Sequence, residues 1–250
     1  MFFSEFSISI LSYILIVYLL CGIIKGTIGF GMPTVSISLL IFFIDIKIII
    51  ALILIPTIIV NAYQLSRGGN FKKIFDETKF FLFFSTLFIF PGTYLLNTIN
   101  SQYIILFIAF VLLLNSILFL TNIKYTLPNY RSPLIQILIG SVNGVIIGMT
   151  SIYTMPLIFL LQSLKYDKDT TVQFLGIAFF LYPLAQLLSF TNLNLISLEI
   201  AKSSFLTLIP IFLGLYIGQK IRKVISERLF QKFFYYMLLM MSLIIIISLI

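Results

Sequence analysis

The chain contains few residues that could carry out chemistry in an apolar environment. Its 250 residues include no histidine, one cysteine (Cys21) and eight acidic residues. A single cysteine cannot form an intramolecular disulfide, and no Cys/His pattern of a metal site is present. The acidic residues all fall in predicted loops or at predicted helix ends, so a proton relay of carboxylates across a membrane is not expected. The sequence therefore predicts no cofactor, no metal site and no acid–base pair of an enzyme.

Lys25 is the one charged residue near the predicted interior of the interrupted apolar segments. A cation within a membrane is costly, and its presence is by default a functional hypothesis. Lys25 could attract an anion into the membrane interior. Alternatively, its long side chain extends from the tip of a helical hairpin to the cytoplasmic surface and keeps its charge in water.

Lys25 lies within Cys21–Thr34, a stretch with four glycines and a proline between two strongly apolar segments. Glycine disfavours a continuous helix, and Pro33 removes a backbone donor and clashes with the preceding turn. A broken helix leaves N–H and C=O groups unpaired, which is tolerated at membrane depth only where the backbone is buried in protein or lines a polar cavity. The stretch is therefore either a substrate site or a tight helix crossing.

The pattern recurs later in the chain, in Gly140–Pro156, where Asn143 takes the place of Lys25. The corresponding positions are Gly22 and Gly140, Gly26 and Gly144, and Pro33 and Pro156. Glycine-interrupted segments at matching positions of two halves indicate a transporter's binding site. The alternative is close packing of helices through small residues, and both roles can coexist.

An anion that crosses hydrocarbon needs positive potential or hydrogen-bond donors, and the N-terminus of a half-helix supplies both. Thr34 and Thr154 fall near the predicted starts of the two half-helices, where their hydroxyls could cap the helix or line a site. Asn61 and Gln173 lie on the segments that follow. The predicted substrate-binding residues are Lys25, Gly26, Thr27, Gly29, Gly31, Pro33, Thr34, Asn61, Asn143, Gly144, Gly148, Thr150, Ser151, Thr154, Pro156 and Gln173.

The composition requires these motifs to sit in a membrane. The chain is 60% hydrophobic and only 10% charged, which is far more apolar than a soluble core needs. The net charge of +8 could suggest a nucleic-acid partner. Basic loops on the cytoplasmic face explain it more simply, so the expected partners are membrane lipid and a small anionic substrate, with no nucleic acid.

Ten apolar segments are predicted, five in each half of the chain. They cover 7–24, 34–44, 46–65, 79–96 and 103–120, then 133–149, 153–164, 170–190, 197–218 and 229–250. The second and seventh segments are too short to cross a bilayer. The predicted fold is an all-α polytopic membrane protein with two inverted repeats, 1–125 and 126–250, made of eight full spans and two short hairpin segments broken by glycine and proline.

Charge in equivalent loops predicts the inversion. Loop 66–78 is basic, whereas its counterpart 191–198 has no basic residue. Loop 97–102 is uncharged, whereas its counterpart 219–232 carries five lysines and arginines. Since positive loops stay inside, the two halves are predicted to have opposite orientations in the cytoplasmic membrane, with both termini outside.

The glycine pattern Gly22-xxx-Gly26-xx-Gly29-x-Gly31-x-Pro33 resembles the signature of the TauE/SafE family of anion permeases, as does its second copy. The resemblance continues in Asp45-Ile46-Lys47, in Arg67-Gly68-Gly69 and in the stretch from Gly218 to Glu227, and so covers nearly the whole chain. It implies transport of sulfite, organosulfonates or related sulfur-containing anions, often as export. The second copy departs from the pattern, because a polar run, 150–154, replaces glycines after Gly148.

The expected function is secondary transport of small anions by alternating access around a central site at the glycine-rich hairpins. An accessory subunit that packs against partner proteins is one alternative, although a duplicated polar interruption is not needed for packing. An intramembrane enzyme is another, but it would need a nucleophile, an acid–base pair or a metal cluster, and the sequence presents none.

Overall fold

The computed structural model of the chain describes residues 8–66, 69–123 and 126–249, and these residues form helices joined by short turns. No strand occurs within these ranges, so the predicted all-α class is confirmed. The helices are α1 Ile8–Ile28, α2 Met32–Leu40, α3 Ile46–Leu65, α4 Phe71–Thr98, α5 Ser101–Leu120, α6 Pro133–Thr150, α7 Leu157–Leu164, α8 Lys168–Asn192, α9 Leu198–Leu206, α10 Leu208–Val224 and α11 Glu227–Leu249. Arg67-Gly68 of the basic loop and Lys124 of the linker lie outside the described residues.

Eight helical stretches of the described chain are long and apolar enough to cross a membrane, as predicted. The seventh of them combines α9 and α10 in 27 residues, Leu198–Val224. The two remaining helices, α2 and α7, have nine and eight residues. Each is only about 12–14 Å long at 1.5 Å per residue, which is less than half of a bilayer's hydrocarbon core.

The interruptions differ from their predicted extents. α1 was expected to end at Ile24, but it continues through Gly26 to Ile28. One glycine inside a helix costs only about 0.5–1 kcal/mol, so packing on a neighbouring helix can outweigh it. The first break is therefore confined to residues 29–31. In the second half, α7 begins at Leu157 rather than at residue 153, which leaves residues 151–156 between α6 and α7.

Two other boundaries also differ from the prediction. Residues 71–78 were assigned to a polar loop, but they form the first turns of α4, a 28-residue helix that extends beyond the roughly 20 residues a bilayer needs. The apolar run alone could not show this extension, because the added turns are charged. The predicted segment 197–218 is divided at Thr207 into α9 and α10, next to Pro210, which has no N–H for the carbonyl four residues earlier.

The chain divides into two compact units. Unit 1 consists of Met1–Pro56, Ser101–Asn122 and Asn194–Ile250, and unit 2 consists of Thr57–Asn100 and Ile123–Leu193. Each unit combines helices from both halves of the sequence, so the compact units differ from the predicted repeats 1–125 and 126–250. The inverted duplication itself stays a prediction from the sequence.

The most extensive helix contact in each unit joins the helix before a break to a helix from the other half of the chain. In unit 1, α1 packs along α10, and α5 packs against α11. In unit 2, α6 packs along α4, and α4 also contacts α8. Each break is therefore held by a partner helix that is remote in sequence.

Candidate functional site

The first break, in unit 1, is formed by Gly29, Phe30 and Gly31 between α1 and α2. Gly29 has a φ of 87° and Gly31 has a φ of 95°, both in the left-handed region that glycine adopts without a Cβ penalty. Gly31 is the N-cap of α2, and Pro33 follows in the first turn, where its missing N–H costs nothing. The glycines thus turn the chain sharply after α1 and start a new helix at Met32.

Lys25 places a cation at this break. It lies in the last turn of α1 and is only 6% exposed, so its side chain does not extend to the protein surface. Its Nζ donates a hydrogen bond to the Gly29 carbonyl oxygen at 2.6 Å. The ammonium group therefore sits against the backbone of the break, where a carbonyl dipole stabilises its charge.

The hydroxyls around the first break have different roles. Thr27 donates to the Ile23 carbonyl at 2.7 Å and lies 3.3 Å from the Gly218 carbonyl, so it belongs to the crossing of α1 and α10. Thr34, in the first turn of α2, is 4% exposed, and its hydroxyl has no hydrogen-bond partner among the described residues. Thr34 is thus a buried polar group without a structural bond at the start of the half-helix.

The backbone at the start of α2 also has unused donors. The Gly31 carbonyl accepts from the N–H of Val35 at 3.0 Å, which begins the helix. The N–H groups of Met32 and Thr34 have no acceptor among the described residues. These are the orphan donors that every helix N-terminus leaves, and they carry the positive end of the helix dipole.

The second break, in unit 2, is longer and is held by side chains. Ser151, the C-cap of α6, is left-handed with a φ of 53°. Its hydroxyl donates to Gln186 Oε1 at 2.7 Å, and Gln186 Nε2 donates to the carbonyls of Ile147 and Gly148 at 3.3 and 3.2 Å. The hydroxyl of Thr150 bonds to the Ile146 carbonyl and accepts from the N–H of Ile152. This network satisfies the end of α6 internally.

Asn143 connects the second break to the rest of unit 2. It is fully buried, and its amide nitrogen lies 3.2 Å from Ser85 Oγ and 3.3 Å from the Tyr182 hydroxyl. Its Oδ1 accepts from the N–H of Leu157, the first residue of α7, at 3.2 Å. The Asn143 side chain therefore caps the N-terminus of α7, although the two residues are 14 positions apart in sequence.

The remaining donors at the start of α7 are also occupied. The N–H of Ile158 bonds to the Thr154 carbonyl, and the N–H of Phe159 bonds to the Pro156 carbonyl, both at 3.0 Å. The buried hydroxyl of Tyr153, within this break, has no hydrogen-bond partner among the described residues. Its ring packs against Phe179 and Tyr182, with centroids 5.5 and 5.9 Å apart.

Most of the predicted glycines lie at helix crossings. A methyl group added at Gly26 would come within 2.6 Å of the Leu215 carbonyl oxygen. One at Gly148 would come within 2.6 Å of the Thr93 nitrogen, and one at Gly144 would overlap the Ser85 carbonyl. These three glycines let two helix backbones approach closely, which is the packing role that the sequence left open.

The glycines of the first break have different surroundings. A methyl group at Gly29 would meet no heavy atom of the described residues within 4 Å, so open space adjoins it. One at Gly31 would lie 3.1 Å from Cζ of Phe234. The ring of Phe234 also meets Phe30 edge to face, with centroids 6.2 Å apart. Aromatic rings therefore border one side of the break.

The two predicted amides on the following helices take up positions in unit 2. Asn61 is buried in α3 and donates to the Thr57 carbonyl at 2.8 Å. Gln173 accepts from the N–H of Asn70, beside the turn between α3 and α4. Gln173 lies 13 residues before Gln186, or about 20 Å along α8 at 1.5 Å per residue. The structure therefore places Gln173 far from the bonds that hold the second break.

The sequence did not identify the partners that hold the second break. Gln186 was visible as an amide within an apolar segment and was expected only to bond across helices. Ser85 and Tyr182 gave no signal, since isolated hydroxyls are common in apolar helices.

Among the described residues, no three His, Cys, Asp or Glu side chains are close enough to hold a metal ion.

Comparison with known proteins identifies a family whose model covers both breaks and the helices around them. The model of the family described as "Sulfite exporter TauE/SafE" matches residues 14–245, which include both breaks and the helices that hold them. No curated protein and no solved structure gives a significant match. Because the family model covers nearly the whole chain, the chain belongs to the TauE/SafE sulfite exporter family.

Proposed function

We propose that the chain is a secondary transporter that moves sulfite, organosulfonates or related sulfur-containing anions across the cytoplasmic membrane. The family supports anion transport across a membrane. The observation that carries the proposal is the buried ammonium group of Lys25 in the last turn of an apolar span, next to a helix break. Neither a packing helix nor a lipid-facing helix needs a cation there.

The chemistry of the break suits an anion that must leave water. Hydrocarbon cannot replace the hydration of an anion, so the protein must supply donors or positive charge along the path. An ammonium group and helix N–H groups supply both, and their effect is larger in a low-dielectric interior than in water. Transport proceeds by alternating access, as the duplicated sequence predicts.

The proposed orientation places both termini outside and the basic turns inside. It rests on the positive-inside rule and on the charges at the end of α10 and the start of α11, where five basic residues fall within 13 positions: Lys220, Arg222, Lys223, Arg228 and Lys232. Cysteines introduced at Gly69 and at Asn100 in a Cys21→Ala background should react with impermeant reagents from opposite sides of the membrane. Reaction from the same side would overturn the proposed inversion.

An accessory membrane subunit is the second candidate, and the glycines at the helix crossings favour it, since they show that part of the motif serves packing. Flux separates the two candidates. Purified protein in liposomes should release trapped sulfite faster than liposomes that contain no protein, and the rate should saturate with sulfite concentration. Lys202, an exposed residue of α9, provides a matched charge control, because Lys202→Ala should leave the flux unchanged. Sulfite release no faster than in empty liposomes, and equally slow for sulfate, thiosulfate and sulfonates, would favour the accessory subunit.

A further inference from the structure

The two copies of the glycine motif differ in what their polar groups bond to. The start of α2 retains donors without acceptors among the described residues, whereas the N–H groups at the start of α7 are bonded. We infer that the transported anion binds at the first break, against Lys25 and the start of α2, and that the second break is a structural element. This inference rests on the proposed transport function and assigns its binding site to one of the two breaks.

Charge is the first difference between the breaks. The first has the buried ammonium of Lys25, bonded to Gly29 at 2.6 Å. At the matching position of the second break stands Asn143, which is neutral and already bonded to Ser85, Tyr182 and the N–H of Leu157. A full charge in a low-dielectric region attracts an anion far more strongly than an amide dipole does.

Available hydrogen-bond donors are the second difference. At the start of α2, the N–H groups of Met32 and Thr34 and the hydroxyl of Thr34 have no partner among the described residues. Thr34 is 4% exposed, so this helix end is largely covered by protein. Its Cα–Cβ bond tilts toward the helix N-terminus, which directs its hydroxyl to the same end of α2 as the free N–H groups. At the start of α7, the N–H groups of Leu157, Ile158 and Phe159 are all bonded.

Space is the third difference. Open space adjoins Gly29, which no other residue type could replace without strain at a φ of 87°. In the second break, Ser151 is fully buried and bonded to Gln186. In that break the hydroxyl of Tyr153 has no partner among the described residues, but it is wholly buried next to the rings of Phe179 and Tyr182. Open space therefore adjoins the first break, whereas protein groups surround Ser151 and Tyr153 in the second.

The donors define the class of ligand. An ammonium group lies at one side of the first break, and two N–H groups and a hydroxyl lie at the start of the helix that follows it. Such a set suits a small oxyanion whose several oxygens accept hydrogen bonds at once. The rings of Phe30 and Phe234 supply an apolar border, which tolerates a short organic substituent on a sulfonate.

Two variants that each remove one hydroxyl without changing side-chain size test the inference. Thr34→Val removes the free hydroxyl of the first break, and Tyr153→Phe removes that of the second. The dissociation constant for sulfite is measured by calorimetry on the purified full-length protein, with the melting temperature recorded for both variants. Thr34→Val should weaken sulfite binding about tenfold, because it removes a hydrogen bond to a charged group. Tyr153→Phe should bind sulfite as the unmodified protein does.

The outcomes separate this inference from the proposed function. If Tyr153→Phe weakens binding and Thr34→Val does not, the assignment is reversed and the inference is wrong. If the unmodified protein transports sulfite and both variants bind it normally, the inference fails while the transport proposal stands. If the unmodified protein neither binds nor transports any of the tested sulfur anions, both are overturned. A change confined to the melting temperature of Thr34→Val would assign Thr34 to folding and would also contradict the inference.

Discussion

The two breaks share a glycine pattern in the sequence but differ in the groups that hold them. Both interrupt an apolar helix next to a crossing that is lined by glycine. The first turns within three residues and depends on left-handed glycines and a lysine. The second takes six residues and depends on Asn143 and Gln186 from the surrounding helices. Left-handed glycines therefore turn the chain at the first break, whereas side chains from α6 and α8 hold the second.

The largest expected effect comes from the close helix crossing that lies next to each break. Gly26→Ala would place a methyl group 2.6 Å from the Leu215 carbonyl oxygen, so α1 and α10 would have to separate. We expect little or no monodisperse protein in size-exclusion chromatography. Gly29→Ala is the matched control, because it meets open space and costs only about 1–2 kcal/mol for the left-handed conformation. Equal yields of the two variants would show that close approach at Gly26 is not required.

A large effect on transport is expected at Lys25, where the two breaks differ most in charge. Lys25→Met should lower sulfite flux in liposomes at least about tenfold, which corresponds to about 1.4 kcal/mol. Lys25→Arg should retain part of the flux, since it keeps the charge and changes the geometry. The exposed Lys202→Ala variant serves as the control. Normal flux in Lys25→Met at matched protein content would remove the basis for assigning the anion to the first break.

A smaller effect, on stability alone, is expected from the network of the second break. Gln186→Met keeps the side-chain size but leaves the Ser151 hydroxyl without its acceptor and removes the bonds to Ile147 and Gly148. An unsatisfied buried polar group costs about 1–3 kcal/mol, so the melting temperature should fall by several degrees. The dissociation constant for sulfite should stay the same. A weaker sulfite affinity with an unchanged melting temperature would mean that the second break contacts the anion.

The smallest effect is expected outside both breaks, neither of which contains a carboxylate. Asp167 is the N-cap of α8, and the hydroxyl and N–H of Thr170 donate to it, which lowers the pKa of its carboxyl. A lowered pKa means that this stabilisation is present above the ordinary value of about 3.9 and is lost as the pH falls through the folded value. In melting experiments between pH 7 and pH 3, Asp167→Asn should therefore lose less stability on acidification than the unmodified protein. An identical pH dependence of the two would contradict the assigned role.

Much of the fold follows from the sequence, because hydrocarbon imposes simple rules. Long apolar runs predicted the eight spans, and the limits of α3 agree with the prediction residue for residue. Glycine and proline predicted the two short helices. The start of α4 was wrong because its first turns are charged and lie beyond the apolar run that was counted.

The candidate site was harder to predict, because its chemistry depends on residues that are far apart in sequence. The sequence identified Lys25, Gly29 and Thr34, which the structure places at one break. It also grouped Gly26, Gly144 and Gly148 with them, although the backbones that these glycines approach belong to helices from the other half of the chain. No local pattern shows that Asn143 is bonded to Leu157 or that Ser151 is bonded to Gln186.

The most direct test of the account is to locate the bound anion. A structure determined with selenite, an analogue of sulfite whose selenium scatters anomalously, would show the position of the ion without reference to activity. The account predicts a selenium peak at the first break, with oxygens at hydrogen-bond distances of about 2.7–3.2 Å from Lys25 Nζ and from the N–H groups at the start of α2. A peak beside Ser151 and Tyr153, or no peak at the first break in a preparation that transports sulfite, would contradict it.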